Sequence, residues 1–207
     1  RCVEIVIHAA GMNAEDCAEN PVKALEFNGA ATARLVRASL RAGVSKFIYF
    51  STAHVYRSPL VGYFDDNSCP RNAHPYASTH LAGEQAVAYV GKNNSKFDAV
   101  VLRLTNAIGR PVSTNVNCWN LLVNDLCKEL VKTGKMTISG NIHDVRDFIP
   151  MKHVCNVCEY IINTRSRMEN TIYNVCSGKT MTIEQVAELI GERFRFLTGR
   201  KYNLSSP

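Results

Sequence analysis

With 207 residues and 46% hydrophobic content, the chain is long enough to bury one sizeable core and too apolar to be a disordered segment. Its formal charge of +6 comes from Lys and Arg residues scattered without a basic run or an aromatic-interleaved patch, which points to a solvated surface and no nucleic-acid partner. No apolar run approaches the ~20 residues of a membrane helix and the N-terminus lacks a secretion signal, so the expectation is a cytoplasmic chain with no membrane partner.

Val3–Ile7 (VEIVI) is a short β-branched run, expected as a strand buried on both faces, and it ends in the small-residue turn His8-Ala9-Ala10-Gly11. Val22–Ala42 places Leu25, Ala33, Val36 and Leu40 at helical intervals before Gly43, and the next strand is Lys46–Phe50. Strand, helix and strand in that order imply a parallel pair with a right-handed crossover. Residues 64–74 are rich in Asp, Asn, Pro and Ser and read as an exposed loop, after which Pro75 suits the first position of a helix running to about Val90. Phe97–Leu104 is the third strand, so the first half alternates β and α as a doubly wound parallel sheet does.

Residues 106–117 lose this rhythm. A helix is expected from Cys118 to Lys132, short strands at Met136–Ser139 and Asp147–Ile149, a helix at Lys152–Asn163 and a strand at Thr171–Val175. Thr182 and Gln185 form a capping box opening a final amphipathic helix through Ile183, Val186, Ile190 and Phe194. The division expected is a first domain over 1–110 and a smaller substrate-binding lobe over 111–207, interleaved with the last elements of the first.

Eight cysteines are many, but Cys2, Cys127, Cys155, Cys158 and Cys176 lie in apolar or helical patterns and are expected as buried free thiols. The single C-x-x-C of Cys155 and Cys158 falls inside a helical pattern with Val154, Val157, Tyr160 and Ile161, and no metal site is expected there.

The residues that carry chemistry cluster around the second strand. Lys46–Phe50 delivers Ser51 and Thr52 to its carboxyl end, the edge at which open α/β sheets bind ligands. The helix after Pro75 carries Tyr76 and His80 one turn apart. A hydroxyl, a phenol and a basic residue make a proton-transfer set, since a phenol of pKa near 10 needs a nearby cation to act at neutral pH. Alone, Tyr-x-x-x-His is weak evidence, because a packed Tyr beside an exposed His is the commoner case.

The order of several motifs adds to this. VIHAAGMN, FNGAAT, FIYFSTAHVY, HPYASTHLAGE, VVLRLTNAIGRP, RDFIPMKHV and IYNVCSG resemble, in sequence, the segments of the extended short-chain dehydrogenase/reductase family, the NAD-dependent epimerases and dehydratases that modify nucleotide sugars. The resemblance implies a Rossmann-like doubly wound sheet, NAD or NADP as cofactor, and a nucleotide-sugar substrate. It makes Thr52, Tyr76 and His80 the catalytic residues, with Thr52 hydrogen-bonding the reacting sugar oxygen and Tyr76 transferring the proton, and places Ala10, Gly11, Asn28 and Ser51, together with Tyr76 and His80, beside the cofactor. It assigns Asn106, Asn120, Leu121 and Arg146 to the nucleotide sugar, although Arg146 fits a salt bridge with Asp144 or Asp147 equally well. It also implies a homodimer through helices 32–42 and 75–90.

Two departures from the family pattern stand out. His80 occupies the position of a Lys that lowers the Tyr pKa and binds the nicotinamide ribose; an imidazole with a pKa of about 6.5 is mostly neutral at pH 7, and burial lowers it further. An enzyme relying on the His80 cation would work best at a lower pH than a Lys-bearing one. Secondly, the Gly-rich phosphate loop is missing: the first strand resembles the family's fourth, so two β-α units and a strand, on the order of sixty residues at about thirty per unit, are unaccounted for. The 207 residues are therefore expected as an N-terminally truncated, partial Rossmann-like fold that binds NAD weakly or not at all. Ala53-His54 stands where dehydratases carry Asp-Glu, which favours 4-epimerisation or 4-keto reduction; His54 is read as packed or solvated. A binding or regulatory protein of the same fold is the alternative.

Overall fold

The computed structural model describes residues 3–113, 115–116 and 118–205. Cys2, expected as a buried thiol, lies outside them. The chain divides into two compact units: residues up to Thr105 together with His153–Val175, and Asn106–Lys152 together with the residues from Cys176 onward.

In the first unit, β1 (Ile5–His8), β2 (Lys46–Thr52), β3 (Asp98–Leu104) and β7 (Ile172–Val175) form a four-stranded parallel sheet in the order β1-β2-β3-β7. Val6 pairs with Phe47, Ile48 with Val100 and Val101 with Ile172. The central strands β2 and β3 are buried almost throughout, which is why their sequences are continuous apolar runs rather than alternating ones. β1 differs from its expectation: it is a half-exposed edge, with Ile7 46% exposed.

Helix α1 (Ala14–Glu19), which the sequence reading missed, opens where the Asn13 side chain accepts the Asp16 N–H at 2.9 Å. The helix expected over 22–42 is also not continuous. It consists of α2 (Pro21–Ala24), a π-helical segment Leu25–Ala31 and α3 (Thr32–Arg41). The wider turn directs the fully buried Asn28 inward, where Oδ1 accepts the Met12 N–H at 2.9 Å and Nδ2 donates to Thr79 Oγ1 at 3.1 Å. Helix α4 (Pro75–Lys92) starts as expected at Pro75, with His74 Nδ1 accepting the Tyr76 N–H at 3.2 Å. Val36 of α3 and Val87 and Val90 of α4 pack with Phe47, Tyr49, Phe97 and Val101 to make the core of this unit.

In the second unit, β4 (Asn106–Ile108) and β6 (Val145–Pro150) run parallel, and β8 (Thr180–Thr182) pairs antiparallel with β6. β5 (Lys135–Thr137) pairs parallel with β9 (Asn203–Ser205). Helix α5 (Leu122–Thr133) begins later than the expected Cys118, because Cys118 to Leu121 form a turn in which the Leu121 N–H and Asn124 Nδ2 both donate to the Cys118 carbonyl, at 3.3 and 3.1 Å. Helix α6 (Met151–Asn163) carries the C-x-x-C, and α7 (Ile183–Thr198) opens with the predicted capping box, both bonds present. Leu126, Leu130, Met136, Ile183, Ala187 and Phe194 form the second core.

The cysteine expectation needs correction: Cys158 is buried, but Cys155 and Cys176 are exposed and Cys127 is half-buried. Cys155 lies on the solvent side of α6, and a helical pattern does not by itself say which turn position faces in. Among the described residues, no helix is long and apolar enough to cross a membrane.

Candidate active site

The site is built at the carboxyl end of the first unit's sheet. β1 ends in the exposed turn Ala9-Ala10-Gly11, and β2 ends at the buried Ser51 and Thr52. Because the chain turns sharply after β2, Thr52 Oγ1 accepts the His54 N–H at 3.1 Å. The Thr52 hydroxyl keeps its hydrogen to donate, and it lies close enough to the Tyr76 phenol to draw that group's pKa down. Tyr76 in the first turn of α4 is in turn edge-on to His80, ring centroids 4.7 Å apart. The three residues that sequence alone put within reach of one another therefore lie side by side.

Burial decides the protonation of this group. The Tyr76 phenol is pushed above its usual pKa chiefly by desolvation, which the nearby Thr52 hydroxyl opposes. His80, 6% exposed, is pulled down to about 4, first by burial and then by the charge of His8. At neutral pH the site thus holds a protonated phenol next to a neutral imidazole, and His80 acts through hydrogen bonds rather than as a cation.

Behind His80 stand residues that the sequence reading did not single out. The Tyr49 phenol lies 3.0 Å from His80 Nδ1, and Thr32 Oγ1 lies 2.9 Å from His8 Nε2. Gly83 makes room for this arrangement, since a Cβ there would sit 2.8 Å from both the Tyr49 hydroxyl and the Asn28 carbonyl. Beneath Ser51, the fully buried Glu84 accepts from Ser51 Oγ, from Arg103 Nε at 3.0 Å and from Arg103 Nη2 at 2.6 Å, and Arg103 Nη1 donates to the Tyr56 hydroxyl at 2.9 Å. The signal for this pair was present in the sequence as an Arg within an apolar strand, a residue type almost never fully buried without a partner.

Of the residues assigned to the cofactor, Ala10 and Gly11 offer exposed backbone, whereas the side chains of Asn28 and Ser51 are engaged inside the protein as described above. At Gly11 a Cβ would come within 3.2 Å of His80 Cε1 and 3.4 Å of Nε2, so glycine leaves a cradle against the imidazole edge.

The residues assigned to the substrate belong to the second unit. Asn106 on β4 donates through Nδ2 to the Asp147 carbonyl at 2.8 Å, tying β4 to β6. Arg146 is exposed on β6, while Asp147 accepts from the Ser177 N–H and hydroxyl at 2.9 and 2.8 Å. Asn120 is exposed just before α5, and Leu121 is its N-cap residue with no side-chain acceptor for the first-turn amides.

Among known proteins, the chain is 30% identical over 190 residues to dTDP-D-glucose 4,6-dehydratase of Mus musculus, an overlap covering 90% of this chain and 50% of that protein. It is 26% identical over 175 residues to GDP-6-deoxy-D-talose 4-dehydrogenase of Aggregatibacter actinomycetemcomitans, covering 84% and 56% respectively. The chain spans about half the length of the curated relatives it matches. Of solved structures, RMD from Pseudomonas aeruginosa complexed with NADPH superposes with a TM-score of 0.83 at 21% identity, covering 100% of this chain and 68% of that one. Its fold is the same Rossmann-like α/β architecture, present here in part. The description "NAD dependent epimerase/dehydratase family" matches residues 1–176, and the chain belongs to that family.

Proposed function

We propose that the protein, at its natural length, is an NAD- or NADP-dependent oxidoreductase acting on a nucleotide sugar, with Thr52 and Tyr76 as its proton-transfer pair. The observation carrying this reading is the placement of the buried Thr52, at the carboxyl end of the central strand, close enough to the Tyr76 phenol to lower its pKa, with His80 edge-on to the Tyr76 ring. The exposed backbone of Ala10 and Gly11, packed close to His80 at the same sheet edge, is the part of this chain we assign to the nicotinamide end of the cofactor, which when bound would supply or take up the hydride. The 207 residues alone lack the Gly-rich loop sequence, and we propose that by themselves they bind NAD weakly or not at all and are inactive.

A phenol that stays protonated at neutral pH is in the state that ketone reduction requires. Thr52 orients the sugar oxygen, and Tyr76 gives its proton to the alkoxide as hydride arrives at carbon. The oxidising half of a 4-epimerisation needs the phenolate instead, and a neutral His80 does not stabilise one. The balance favours a 4-keto reductase over a 4-epimerase, and Ala53-His54 after Thr52 disfavours dehydration. Asn106, Arg146 and the first-turn amides of α5, which follow Asn120 and Leu121 and have no side-chain cap, supply donors of the kind that hold a nucleotide diphosphate. A homodimer through α3 and α4 fits the exposed Leu35 and Tyr89, and sedimentation as a monomer would remove that part of the proposal.

The test is turnover of a panel of nucleotide sugars and their 4-keto forms, followed by nicotinamide absorbance. Tyr76→Phe should lower kcat by about 100-fold or more. The neutral His80 gives one reason for a second reading, a nucleotide-sugar binding protein with weakened chemistry. Binding by calorimetry with no turnover of any panel member, in parent and variant alike, would establish that reading instead.

A further inference from the structure

Tyr49, fully buried in the middle of β2, reaches α4 with its hydroxyl. Its ring is stacked on His8 at 5.3 Å between centroids and on His80 at 6.2 Å. Gly83 leaves the notch in α4 that the phenol enters, because a Cβ there would sit 2.8 Å from the hydroxyl and 3.1 Å from Cζ. In that notch the hydroxyl lies 3.0 Å from His80 Nδ1, and it makes no other hydrogen bond among the described residues.

This isolation decides which atom carries the shared hydrogen. If Nδ1–H donated to the phenol, the phenol's own hydrogen would be left in the interior without an acceptor, an arrangement that buried hydroxyls avoid. With Tyr49 donating to Nδ1 both groups are satisfied, and the imidazole, neutral at neutral pH, then carries its hydrogen on Nε2. No hydrogen bond engages Nε2 among the described residues, and no buried side-chain nitrogen or oxygen among them lacks a partner, so Nε2 reaches the surface. It does so beside the Gly11 backbone, 3.4 Å from the place a Gly11 Cβ would take.

We propose that Tyr49 is a positioning residue: by donating to His80 Nδ1 it holds the ring in one orientation and one tautomer, and so presents Nε2–H at the Ala10-Gly11 turn as a neutral donor to an oxygen of the bound cofactor. This deepens the oxidoreductase reading and rests on it for the identity of the ligand. The Tyr49–His80 bond stands without that reading. Released from Tyr49, the ring would have two tautomers and two orientations about its Cβ–Cγ bond, of which about one in four places N–H at the turn. A lysine at position 80 has three donors and no acceptor, so Tyr49 could not donate to it. The role of Tyr49 therefore exists only with the histidine that this chain carries.

The test uses the protein at its natural length, labelled with 15N-histidine, with tautomers read at neutral pH from two-bond proton–nitrogen correlations. His80 should be a single species protonated at Nε2. Tyr49→Phe should turn it into a mixture of tautomers while the backbone spectrum away from the site stays in place. A hydrogen on Nδ1 in the parent, or a tautomer unmoved by Tyr49→Phe, overturns the proposal whatever the protein's activity. In calorimetry with NAD and NADP, Tyr49→Phe should bind about two- to fourfold more weakly than the parent, as the competent fraction falls; equal affinity would overturn the proposal too. A glutamine carries an amide N–H near the place of Nε2 and has no tautomers, so in a His80→Gln background Tyr49→Phe should leave the affinity unchanged. An equal loss in both backgrounds would give Tyr49 a packing role only and overturn its positioning of His80. If the parent binds neither cofactor, the oxidoreductase reading fails, while the tautomer measurement still decides whether Tyr49 positions His80.

Discussion

Replacing His80 by Lys tests the electrostatics of the site directly, because it restores the cation that the neutral imidazole does not provide. The Tyr76 and His80 rings are 4.7 Å apart, and two unit charges at about that separation with an effective dielectric constant of 20 interact by about 3.5 kcal/mol. A lysine ammonium should therefore lower the Tyr76 pKa by roughly two to three, against the burial that raises it. The assay is a pH titration of 13C-labelled tyrosine followed by NMR, with Tyr76→Phe identifying the signal. It needs no turnover and so stands apart from the assignment of substrate. Tyr76 should titrate clearly lower in His80→Lys than in the parent, and the alcohol-oxidising direction, which needs the phenolate, should gain at neutral pH relative to ketone reduction. An unchanged Tyr76 titration would refute the account of His80 as a neutral residue that withholds activation. The pH argument from sequence changes accordingly: with His80 titrating near 4, its cation is not available in any working range, and a lower pH optimum is not the expected signature.

Three more outcomes follow from the same residues. Below pH 6.5 an unfolded chain protonates this histidine, whereas the folded site keeps it neutral down to about 4. Stability should therefore fall as pH drops through that window, by at most about 3 kcal/mol from His80, and no further below it. Urea midpoints across the window should show a flatter curve for His80→Gln, and an identical slope would contradict the pKa. Glu84→Ala leaves the Arg103 guanidinium buried without its carboxylate and should cost about 3–5 kcal/mol, while Glu84→Leu with Arg103→Met should recover most of it. A loss below about 1 kcal/mol in the single variant would mean that water reaches the pair. Gly83→Ala puts a methyl 2.8 Å from the Tyr49 hydroxyl and should cost about 1–3 kcal/mol while lengthening the Tyr49–His80 bond; an unperturbed His80 signal in NMR would show that the helix shifts instead.

Much of this protein was determined by its sequence alone. Continuous apolar runs at Lys46–Thr52 and Asp98–Leu104 specify buried parallel strands because both faces of a central strand must avoid water. Pro75 and the Thr182–Gln185 box specify helix starts because local backbone groups need local partners. The four-residue spacing of Tyr76 and His80 places them on one helix face, and the motif order identifies the family.

Other features were decided only by tertiary structure. The π-helical turn at Leu25–Ala31 forms around Asn28, whose partners Met12 and Thr79 are distant in sequence. β9 exists through its pairing with β5 and has no periodic signature of its own. The Glu84–Arg103 pair and the contacts of His8 with Thr32 and of Tyr49 with His80 join residues from separate strands and helices; an Arg within an apolar strand announces that a partner is needed, but not which one. The sequence alone shows that His80 stands where a lysine is expected; its protonation is set by desolvation, which exists only once the chain has folded around it.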